Sequence, residues 1–383
     1  MRKTRRVQSN RFRLRGSNVR ERLSADVIAE KKLESKLACA RHCGYSAQCF
    51  GFSFRKPTGD CLLYQTFTSH LQTQSSDGFE LWEKSQILIF GGASAGTQPV
   101  DVLKPYKGTA EATSATFEEW SMMAAGRFRD GLIVMAGGSR GATPTDQVQL
   151  LDLTKGIWSQ GPTALGRLGY LTAFAMLNDC LYCCGEFNSI DYQPNCRKLC
   201  RGADGQLQWS AAAYWSASRI AFSAMTTFNG YLYQSGGFIN NVAQNSAFRY
   251  DPAQNTWVSI AAMQTARGEH SMAVLGEKLV ACGGCSSGCL ASVNSAQMFT
   301  TCEQYHPTQN TWTPIAAMNK PRNMFALVVS NSTLYAVGGR DTTGAGSDSV
   351  TRGVELYDPE TDAWTDLGVL LPRARFGHAL VVV

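Results

Sequence analysis

The sequence predicts an all-β repeat architecture over most of its length, and three features support this prediction. A unit of roughly fifty residues recurs six times between Gln86 and Val383. Each copy contains an apolar strand, a pair of glycines, a second strand and a tryptophan, in that order, except that one copy has Cys184-Gly185 in place of the glycine pair. Turn-forming residues such as Asp251-Pro252 separate the short strands. A period of this length with short strands is typical of repeat proteins, so we interpret a residue that returns in every copy as structural.

The composition describes a folded protein with a charged N-terminal end. Hydrophobic residues make up 44% of the chain and charged residues 17%, which fits a globular protein rather than a disordered one. The net charge of +6 comes from the first 22 residues, which contain nine Lys/Arg and one acid, whereas the remainder has 27 basic against 29 acidic residues. The folded part is therefore near neutral, and we expect no nucleic-acid partner.

Residues 1–22 are predicted to form a basic, flexible tail, and the alternative is a nuclear-localisation or anionic-surface patch. No apolar core of a signal peptide follows these charges, and no run of 18 apolar residues occurs in the sequence. We therefore expect no membrane span in this chain.

Residues 23–84 have the pattern of a small module held together by cysteines. Apolar residues at Leu33, Leu37 and Ala40 predict a helix over 32–43, which Gly44 would end. Alternating residues predict a strand at 50–54, and a returning strand follows at 61–64. Two cysteines then lie on one helix face and two lie on or beside strands, an arrangement that disulfides can close. These residues are Cys39, Cys43, Cys49 and Cys61.

This cysteine and aromatic pattern resembles the PAN/apple domain over about Arg11 to Lys84. The resemblance implies disulfides joining Cys39 to Cys61 and Cys43 to Cys49, and binding of protein or carbohydrate outside the cell. In so small a domain each cross-link contributes roughly 2–4 kcal/mol. The alternative is a four-cysteine zinc site, although zinc knuckles usually present their first pair of cysteines from a loop or hairpin.

The fourth copy shows the repeat most clearly. Gly236-Gly237 ends an apolar strand, and Tyr250 precedes Trp257 by seven residues. The double glycine permits a backbone conformation that is closed to other residues. The same elements return in the next two copies as Gly283, Gly284, Trp312, Gly338, Gly339 and Trp364.

Double glycine, Tyr-Asp-Pro turn and tryptophan together resemble the kelch motif, and the resemblance covers residues 86–383. It implies a six-bladed β-propeller with four-stranded blades around a channel. We predict that the C-terminal strand at 378–383 joins the first blade and closes the ring, since an open ring leaves unpaired strand edges. The short spacing from Arg127 to Gly137 predicts that blade 2 lacks a strand, either in the protein or through an exon missing from the gene model.

An arginine follows each tryptophan, and we predict that these arginines surround one mouth of the propeller. Guanidinium groups bind carboxylates in bidentate pairs, and the placement resembles the arginines with which kelch-domain substrate adaptors hold acidic peptide loops. Variable loops after the glycine pairs are the expected source of specificity. The alternative is that these arginines bond to blade backbone or to neighbouring acids. The predicted ligand-binding set is Arg167, Arg219, Arg267, Arg322 and Arg375, with Arg127 as the counterpart in the second blade.

Thirteen cysteines in local clusters favour disulfides and an oxidising compartment. Within the repeats we predict disulfides rather than metal sites for the groups around Cys183 and Cys282, and we interpret His270 and His378 as structural. Asn331 begins a glycosylation sequon in a turn. No metal site and no cofactor are predicted.

These features predict a non-catalytic module that binds protein, through an acidic loop, or glycan, outside the cell. The alternative is an intracellular, cytoplasmic kelch-like substrate adaptor or actin-binding protein, a class that normally carries a BTB domain, for which we see no room in the first 85 residues. A remote alternative is a copper enzyme similar to galactose oxidase, whose His and Tyr ligands are matched only by Tyr305-His306 in a turn. No nucleophile elbow, phosphate loop or catalytic pair of carboxylates is recognisable.

Overall fold

The fold is taken from a computed structural model, which describes residues 27–32, 51–55, 60–64, 80–83, 86–92, 98–105, 109–117, 120–140, 143–164, 168, 173–187, 192–213, 220–286, 298–341 and 350–383. Two compact units are present. The first comprises Met1–Gln86 with Lys104–Thr109, and the second comprises Ile87–Leu103 with Ala110–Val383.

The first unit contains a four-stranded antiparallel sheet with the strand order β1-β3-β2-β4. Its strands are β1 Val27–Lys32, β2 Gly51–Arg55, β3 Asp60–Tyr64 and β4 Glu80–Glu83. The two strands predicted here correspond to β2 and β3, whereas Lys32, predicted to begin a helix, ends β1. The basic tail, the rest of the helix and the two predicted disulfides lie outside the described residues, so the PAN/apple resemblance stays a prediction.

The second unit is built from six four-stranded antiparallel blades within the described ranges. Its longer strands are β5 Ile87–Phe90, β6 Gln98–Lys104, β7 Thr109–Phe117, β8 Ala124–Arg127, β9 Leu132–Ala136, β12 Val148–Asp152, β13 Ile157–Gln160, β14 Ala173–Leu177, β15 Cys180–Phe187, β16 Tyr192–Arg201, β17 Leu207–Ala212, β18 Ala224–Phe228, β19 Tyr231–Ser235, β22 Ala247–Asp251, β23 Thr256–Ile260, β24 Ser271–Leu275, β25 Lys278–Cys282, β26 Cys302–His306, β27 Thr311–Ile315, β28 Ala326–Ser330, β29 Thr333–Val337, β30 Gly353–Asp358, β31 Ala363–Leu370 and β32 Ala379–Val382. Two short hairpins extend from blades 2 and 4: β10 Ser139–Arg140 with β11 Thr143–Pro144, and β20 Phe238–Ile239 with β21 Val242–Ala243.

The blades form a closed ring. Blade 1 has the order β32-β5-β6-β7, so its first strand comes from the C-terminal end of the chain. The first strands of neighbouring blades contact one another in the circular order β8, β14, β18, β24, β28, β32 and back to β8. Val381 pairs with Leu88 in this closing sheet. The predicted six-bladed, all-β propeller and its closure by the C-terminal strand are therefore confirmed.

The core lies between the blades, because each blade buries both faces against its neighbours. The second strands are accordingly near-continuous apolar runs, and in β5, for example, all four residues are buried. Ile87 and Ile89 pack with the side chains of blade 6, whereas Leu88 and Phe90 pack with those of blade 2. A sheet covered on both sides needs apolar residues at successive positions, which the repeat supplies.

The prediction that blade 2 lacks a strand is wrong. Its sheet has four strands in the order β13-β12-β9-β8, and Arg127 lies at the end of the first strand, pairing with Ile133. The spacing argument treated Arg127 as the residue that precedes this strand. The residue in that position is Trp120, which lies 17 residues before Gly137, close to the 16 residues from Arg267 to Gly283.

Neighbouring blades are joined by a repeated set of hydrogen bonds. The Trp312 indole donates to the carbonyl oxygen of Ala261 in the preceding blade over 2.8 Å, and Ala261 donates its N–H to Asn310 Oδ1 over 2.8 Å. The Tyr305 hydroxyl donates to the same Asn310 oxygen at 2.8 Å. Blades 4 and 6 repeat the arrangement with Tyr250, Asn255 and Trp257 and with Tyr357, Asp362 and Trp364. The seven-residue spacing from tyrosine to tryptophan thus serves blade-to-blade contact.

Candidate functional site

One end of the ring carries a backbone arrangement that we call the collar, which the structure describes in five of the six blades. Its residues immediately precede the first strands, and each has a left-handed backbone: Met122 (φ 57°), Phe222 (φ 60°), Glu269 (φ 56°), Met324 (φ 48°) and Gly377 (φ 60°). Bulky residues seldom adopt this conformation, which is strained and is found disproportionately at functional sites.

Hydrogen bonds between successive collar residues explain the strained backbone. Glu269 donates its N–H to Phe222 O over 2.9 Å, and Met324 donates to Glu269 O over 3.0 Å. Gly377 then donates to Met324 O over 2.8 Å, and Met122 donates to Gly377 O over 2.6 Å. In the described part of the collar, these hydrogen bonds pass from blade 4 through blades 5, 6 and 1 to blade 2, and they satisfy its backbone groups and fix the direction of each side chain.

A cavity of about 120 Å³ lies at this end of the channel and is partly open. Its lining combines collar residues with residues next to them or in the first strands: Met122, Met123, Phe174, Phe222, Ser223, Glu269, His270, Met324, Phe325, Gly377 and His378. Most of this lining is apolar, and its ionisable side chains are one glutamate and two histidines.

These three ionisable groups are strongly affected by burial. Glu269 is 6% exposed, and burial raises the pKa of its carboxyl to about 7 against the opposing effects of Arg340 and Asn323. Burial lowers the pKa of His270 to about 3, assisted by the charge of Arg267, and lowers the pKa of His378 to about 3. Both imidazoles are therefore neutral at physiological pH, which agrees with their structural interpretation.

Three of the predicted ligand-binding arginines are buried inside their blades, which corrects that part of the prediction. The guanidinium of Arg267 pairs with Glu303 at 2.9 Å, and that of Arg322 pairs with Glu355 at 3.0 Å. Arg375 pairs with Asp101 at 2.8 Å. None of the three side chains is more than 2% exposed, so no carboxylate of a partner can reach them.

The repeat arginines, as we call Arg267, Arg322 and Arg375, join elements of the fold. Arg322 Nη1 donates to Gly338 O at 2.7 Å and to Gly353 O at 3.1 Å, within its own blade. Its carbonyl oxygen accepts from the N–H of Gly284 in the preceding blade at 2.7 Å. Burial lowers the pKa of Arg267 and of Arg375, and the paired acid opposes this effect in both. These three arginines therefore follow the alternative interpretation, in which they bond to blade backbone and to neighbouring acids.

The other arginines of the predicted set are placed differently. Arg127 is exposed and out of register with the rest. Arg167 and Arg219 lie outside the described residues, so their role stays a prediction. In blade 4 the position equivalent to Arg267 is Ile220, which is 1% exposed.

The repeated glycines allow close approach between blades. Gly236, Gly283 and Gly338 each have φ near +60°, and a Cβ atom on Gly283 would come within 2.5 Å of Arg322 O. The second glycines, Gly237, Gly284 and Gly339, also have positive φ and donate N–H groups to the carbonyl oxygens of Arg267, Arg322 and Arg375, respectively. No side chain could be added at these positions without moving backbone.

Segments that follow the glycine pairs surround the collar and differ from blade to blade. Blade 4 has the β20–β21 hairpin, in which Val242 is 55% exposed, whereas blade 2 has β10–β11 with Arg140 exposed. In blade 6 the guanidinium of Arg340 lies 3.8 Å from the centre of the Phe376 ring. A common frame thus carries different side chains around one opening.

Several cysteines of the propeller form disulfides between directly opposed strand residues. Cys180–Cys200 and Cys184–Cys196 join β15 to β16, and Cys282–Cys302 joins β25 to β26. Cys285 is also in a disulfide, with a partner outside the described residues. Cys183 is a buried thiol. The predicted disulfides are confirmed for these three pairs, whereas Cys183, in one of the predicted groups, keeps its thiol.

Metal and glycan positions complete the survey of the predicted sites. Among the residues that the structure describes, no group of three or more His, Cys, Asp or Glu side chains is arranged to hold a metal ion. Asn331 lies in the turn between β28 and β29 with φ 52°, at the opposite ends of these strands from the collar, and its glycosylation stays a prediction. Within the described ranges, no helix has the length and hydropathy required to cross a membrane.

Glu269 and the acids that pair with the repeat arginines were missed from the sequence. Glu303 and Glu355 each lie two residues before a repeat tyrosine, and Asp101 has the equivalent place before Leu103. This second periodicity is the signal that could have identified the ion pairs. Glu269 occupies a collar position at which the other described blades have Met, Phe or Gly, so no repeat of its own type marks it.

Comparison with known proteins identifies the repeat. The Kelch motif matches residues 219–264, 266–319 and 321–368. The chain is 31% identical to Kelch-like protein 26 of Danio rerio over 163 residues, which is 41% of this chain and 25% of that protein. It is 33% identical to Kelch-like protein 36 of Rattus norvegicus over 129 residues, which is 34% of this chain and 20% of that protein. Beta-scruin of Limulus polyphemus is 31% identical over 138 residues, which is 36% of this chain and 14% of that protein.

The chain spans a quarter or less of the length of these curated relatives. Among solved structures, that of YjhT resembles this chain with a TM-score of 0.61 at 14% identity, covering 73% of this chain and 94% of that one. An identity this low concerns the fold alone. Together with the six observed blades, these matches show that the chain carries Kelch repeats folded into a six-bladed β-propeller.

Proposed function

We propose that this chain is a non-catalytic scaffold that binds a protein partner through the collar end of its propeller. The observation that carries the proposal is the contrast between a constant frame and variable segments. The same glycines and blade-to-blade hydrogen bonds recur, whereas the segments after the glycine pairs differ in length and sequence. Variable segments on a rigid frame are the usual location of binding specificity.

We place this scaffold inside the cell, among Kelch-like adaptors or actin-binding proteins. The relatives found by comparison are Kelch-like proteins and scruins, which favour this alternative over the extracellular interpretation. Because the chain matches only a small part of each relative, we propose only the class of its partner, which is a protein.

A preference for an acidic loop now depends on Arg167 and Arg219. Burial of the three repeat arginines removes them from the binding surface. Arg140 and Arg340 are further arginines on segments near the collar. A glycan partner finds no specific support in the described side chains.

The proposed surface can be tested with two matched substitutions. Val242→Asp changes an aliphatic side chain that is 55% exposed on the collar side, and Ile157→Asp changes one that is 59% exposed at the start of the outer strand β13. We expect Val242→Asp to abolish capture of a partner that cross-links to the wild-type chain, and Ile157→Asp to leave capture intact. Equal capture by both variants, each with an unchanged Tm, would reject the collar side as the binding surface.

Extracellular binding is a second candidate, and the disulfides are the observation that favours it. Disulfides persist mainly in oxidising compartments. Three complete pairs and the bonded Cys285 account for eight of the thirteen cysteines, which leaves at most five thiols.

Thiol titration of protein purified from its natural source, denatured without reductant, separates the two compartments. Five or fewer reactive thiols would support extracellular binding, whereas thirteen would support the intracellular scaffold. If the protein is denatured and alkylated as the cells are opened, later oxidation cannot lower the count, and the thiols are then counted by mass as added alkyl groups.

A further inference from the structure

The collar cavity contains buried polar atoms that no described residue satisfies. Glu269 Oε2 accepts from Asn323 Nδ2 at 2.6 Å, but Oε1 has no hydrogen-bond partner among the described residues. The same holds for Nδ1 of His270, whose Nε2 lies 2.9 Å from Ser235 Oγ, and for Ser223 Oγ. Since buried polar groups are ordinarily hydrogen-bonded, this set indicates a site that something occupies.

The chemistry of the lining selects a small cation. Glu269 contributes the carboxylate, and the imidazoles of His270 and His378 are neutral at physiological pH, so they do not repel a positive charge. Phe174, Phe222 and Phe325 supply aromatic rings, which attract cations and also cover alkyl groups. A carboxylate among aromatic and thioether side chains suits a cation that carries an apolar stem.

The size of the cavity limits that cation to a few heavy atoms. An engineered protein cavity of about 150 Å³ holds one benzene molecule, so this cavity of about 120 Å³ has room for a group of about five heavy atoms. The end of a four-carbon alkylammonium chain fits this volume, with the ammonium at Glu269 and the chain between the methionine and phenylalanine side chains.

We propose that the collar cavity is a binding site for a primary alkylammonium group, which donates a hydrogen bond to Glu269 Oε1. This chemistry is shared by a free amine and by the lysine side chain of a protein partner. The lysine source deepens the proposed protein-binding function and rests on it, whereas the free amine does not.

Binding depends on pH through Glu269. The carboxyl has its pKa raised to about 7, so below that pH a proton competes with the ammonium, and the loss of affinity approaches about tenfold per pH unit below pH 6. Other charged or titratable groups near it are Arg340, which opposes the rise of this pKa, and the neutral His270 and His378. Above pH 7 the affinity reaches a plateau until the amine itself loses its proton near pH 10.

Calorimetric titration of the full chain with n-butylammonium chloride tests the site. We expect saturable binding at pH 8, a loss of affinity of about fivefold between pH 7 and pH 6, and proton release when titrations at pH 7 are repeated in buffers of different ionisation enthalpy. Glu269→Gln should weaken binding at pH 8 by about tenfold or more, since it removes a hydrogen bond to a charged group. The matched control is Glu277→Gln, because Glu277 is exposed in the turn between β24 and β25, at the other end of the strands.

Ser223→Leu provides a second variant that fills the cavity and leaves the carboxyl in place, and it should also abolish binding. Binding that is unchanged in Glu269→Gln, binding that does not vary with pH, or absence of saturable binding would each overturn the proposal. The last result would mean that the cavity holds water only.

The source of the ammonium is tested separately. If it is a lysine, a partner captured by the wild-type chain should be displaced by n-butylammonium and should bind Glu269→Gln more weakly. If partner capture is the same for both and n-butylammonium still binds the wild-type chain, the ligand is a free amine. If Val242→Asp abolishes partner capture but n-butylammonium neither binds the chain nor displaces the partner, the proposed scaffold function is supported and the proposed ammonium site is wrong.

Discussion

Each repeat arginine is neutralised by an acid on the third strand of its own blade, and the same chain contains an apolar version of this pair. In blade 4, Ile220 occupies the arginine position and Phe248 the acid position, two residues before Tyr250. In blade 6 the same positions hold Arg322 and Glu355, both 1% exposed. A buried ion pair in one blade and two apolar residues in another therefore occupy equivalent positions, as the balance between desolvation and attraction allows.

This equivalence predicts the behaviour of three variants of blade 6. Arg322→Ala should lower the free energy of unfolding by about 3–5 kcal/mol, because it leaves Glu355 buried without its partner. Arg322→Ile combined with Glu355→Phe, which copies blade 4, should recover most of that loss. Urea denaturation with a common m-value measures both effects. If Arg322→Ala lowers the free energy of unfolding by less than about 1 kcal/mol and also weakens partner binding, Arg322 contacts the partner and this interpretation is wrong.

The raised pKa of Glu269 leads to a second prediction at the residue scale, which concerns how stability depends on pH. Its folded-state pKa of about 7 lies above the ordinary value of 4.5, so its contribution to stability is full below pH 4.5 and is lost as pH rises through 7. Glu269→Gln should therefore raise the free energy of unfolding at pH 8 by on the order of 2 kcal/mol relative to wild type, and by little at pH 4.5. Thermal unfolding of both proteins across this range measures the difference. A wild-type advantage at pH 8 would contradict the pKa shift.

The buried histidines act in the opposite direction. His270 and His378 have folded-state pKa values of about 3, below the ordinary 6.5, so the stability they contribute is present above pH 6.5 and falls as the pH drops toward 3. The two windows overlap between pH 4.5 and 6.5, where two histidines gain stability with rising pH and one glutamate loses it, so the chain should be most stable near pH 6.5. Substituting Glu269 shifts that optimum upward, which separates its effect from that of the histidines.

The glycine pairs govern the structure at the scale of elements, because they let the end of one blade contact the start of the next. Gly283 and Gly276 both have left-handed backbone, but only Gly283 of these two lies against backbone, and nothing lies within 4 Å of a Cβ added to Gly276. Alanine substitution at Gly276 therefore measures the cost of the left-handed conformation alone, whereas at Gly283 it adds the cost of a steric clash.

Gly276→Ala should cost roughly 1–2 kcal/mol, the price of a left-handed conformation in a residue with a Cβ atom. Gly283→Ala should cost at least about 2 kcal/mol more, since its Cβ would lie 2.5 Å from Arg322 O and blades 5 and 6 would have to separate. The two melting temperatures, measured side by side, test this. Equal destabilisation would mean that blades 5 and 6 are not in contact at this glycine.

At this scale the sequence was informative about strands and misleading about one register. The glycine pairs, the Tyr-to-Trp spacing and the turns are local signals, and they correctly predicted the blades. Counting forward from a tryptophan to an arginine crosses a loop of variable length, so Arg127 was assigned to a position that Trp120 occupies. Counting back from Gly137 crosses only one hairpin and gives the observed register.

The collar could not be predicted at all, since a left-handed Met or Phe has no sequence signature and arises from hydrogen bonds between distant segments.

The whole molecule depends on contact between the two ends of the propeller sequence. Strand β32 pairs with β5, so blade 1 is assembled from residues that are separated by almost the entire propeller. Val381 packs with blade 1 and blade 2, whereas Leu380 and Val382 contact the cluster shared with blade 6. One short strand therefore completes a sheet and two blade-to-blade interfaces at once, which makes the ring cooperative.

Deletion of residues 379–383 tests this closure. It removes the partner of β5 and the buried side chains of Ala379 and Val381. Burial of a valine side chain such as that of Val381 contributes about 1.5–3 kcal/mol. We expect Tm to fall by on the order of 10 °C, as a loss of several kcal/mol implies for a unit of this size. We also expect concentration-dependent association, because β5 then presents an unpaired apolar edge. Deletion of Val383 alone is the graded control, because this residue lies outside β32 but packs against the cluster between blades 1 and 2. It should lower Tm by less than the longer deletion and should cause no association, since β32 still covers the edge of β5. A truncated chain that remains monomeric with the Tm of the full chain would show that the ring is not held closed by its last strand.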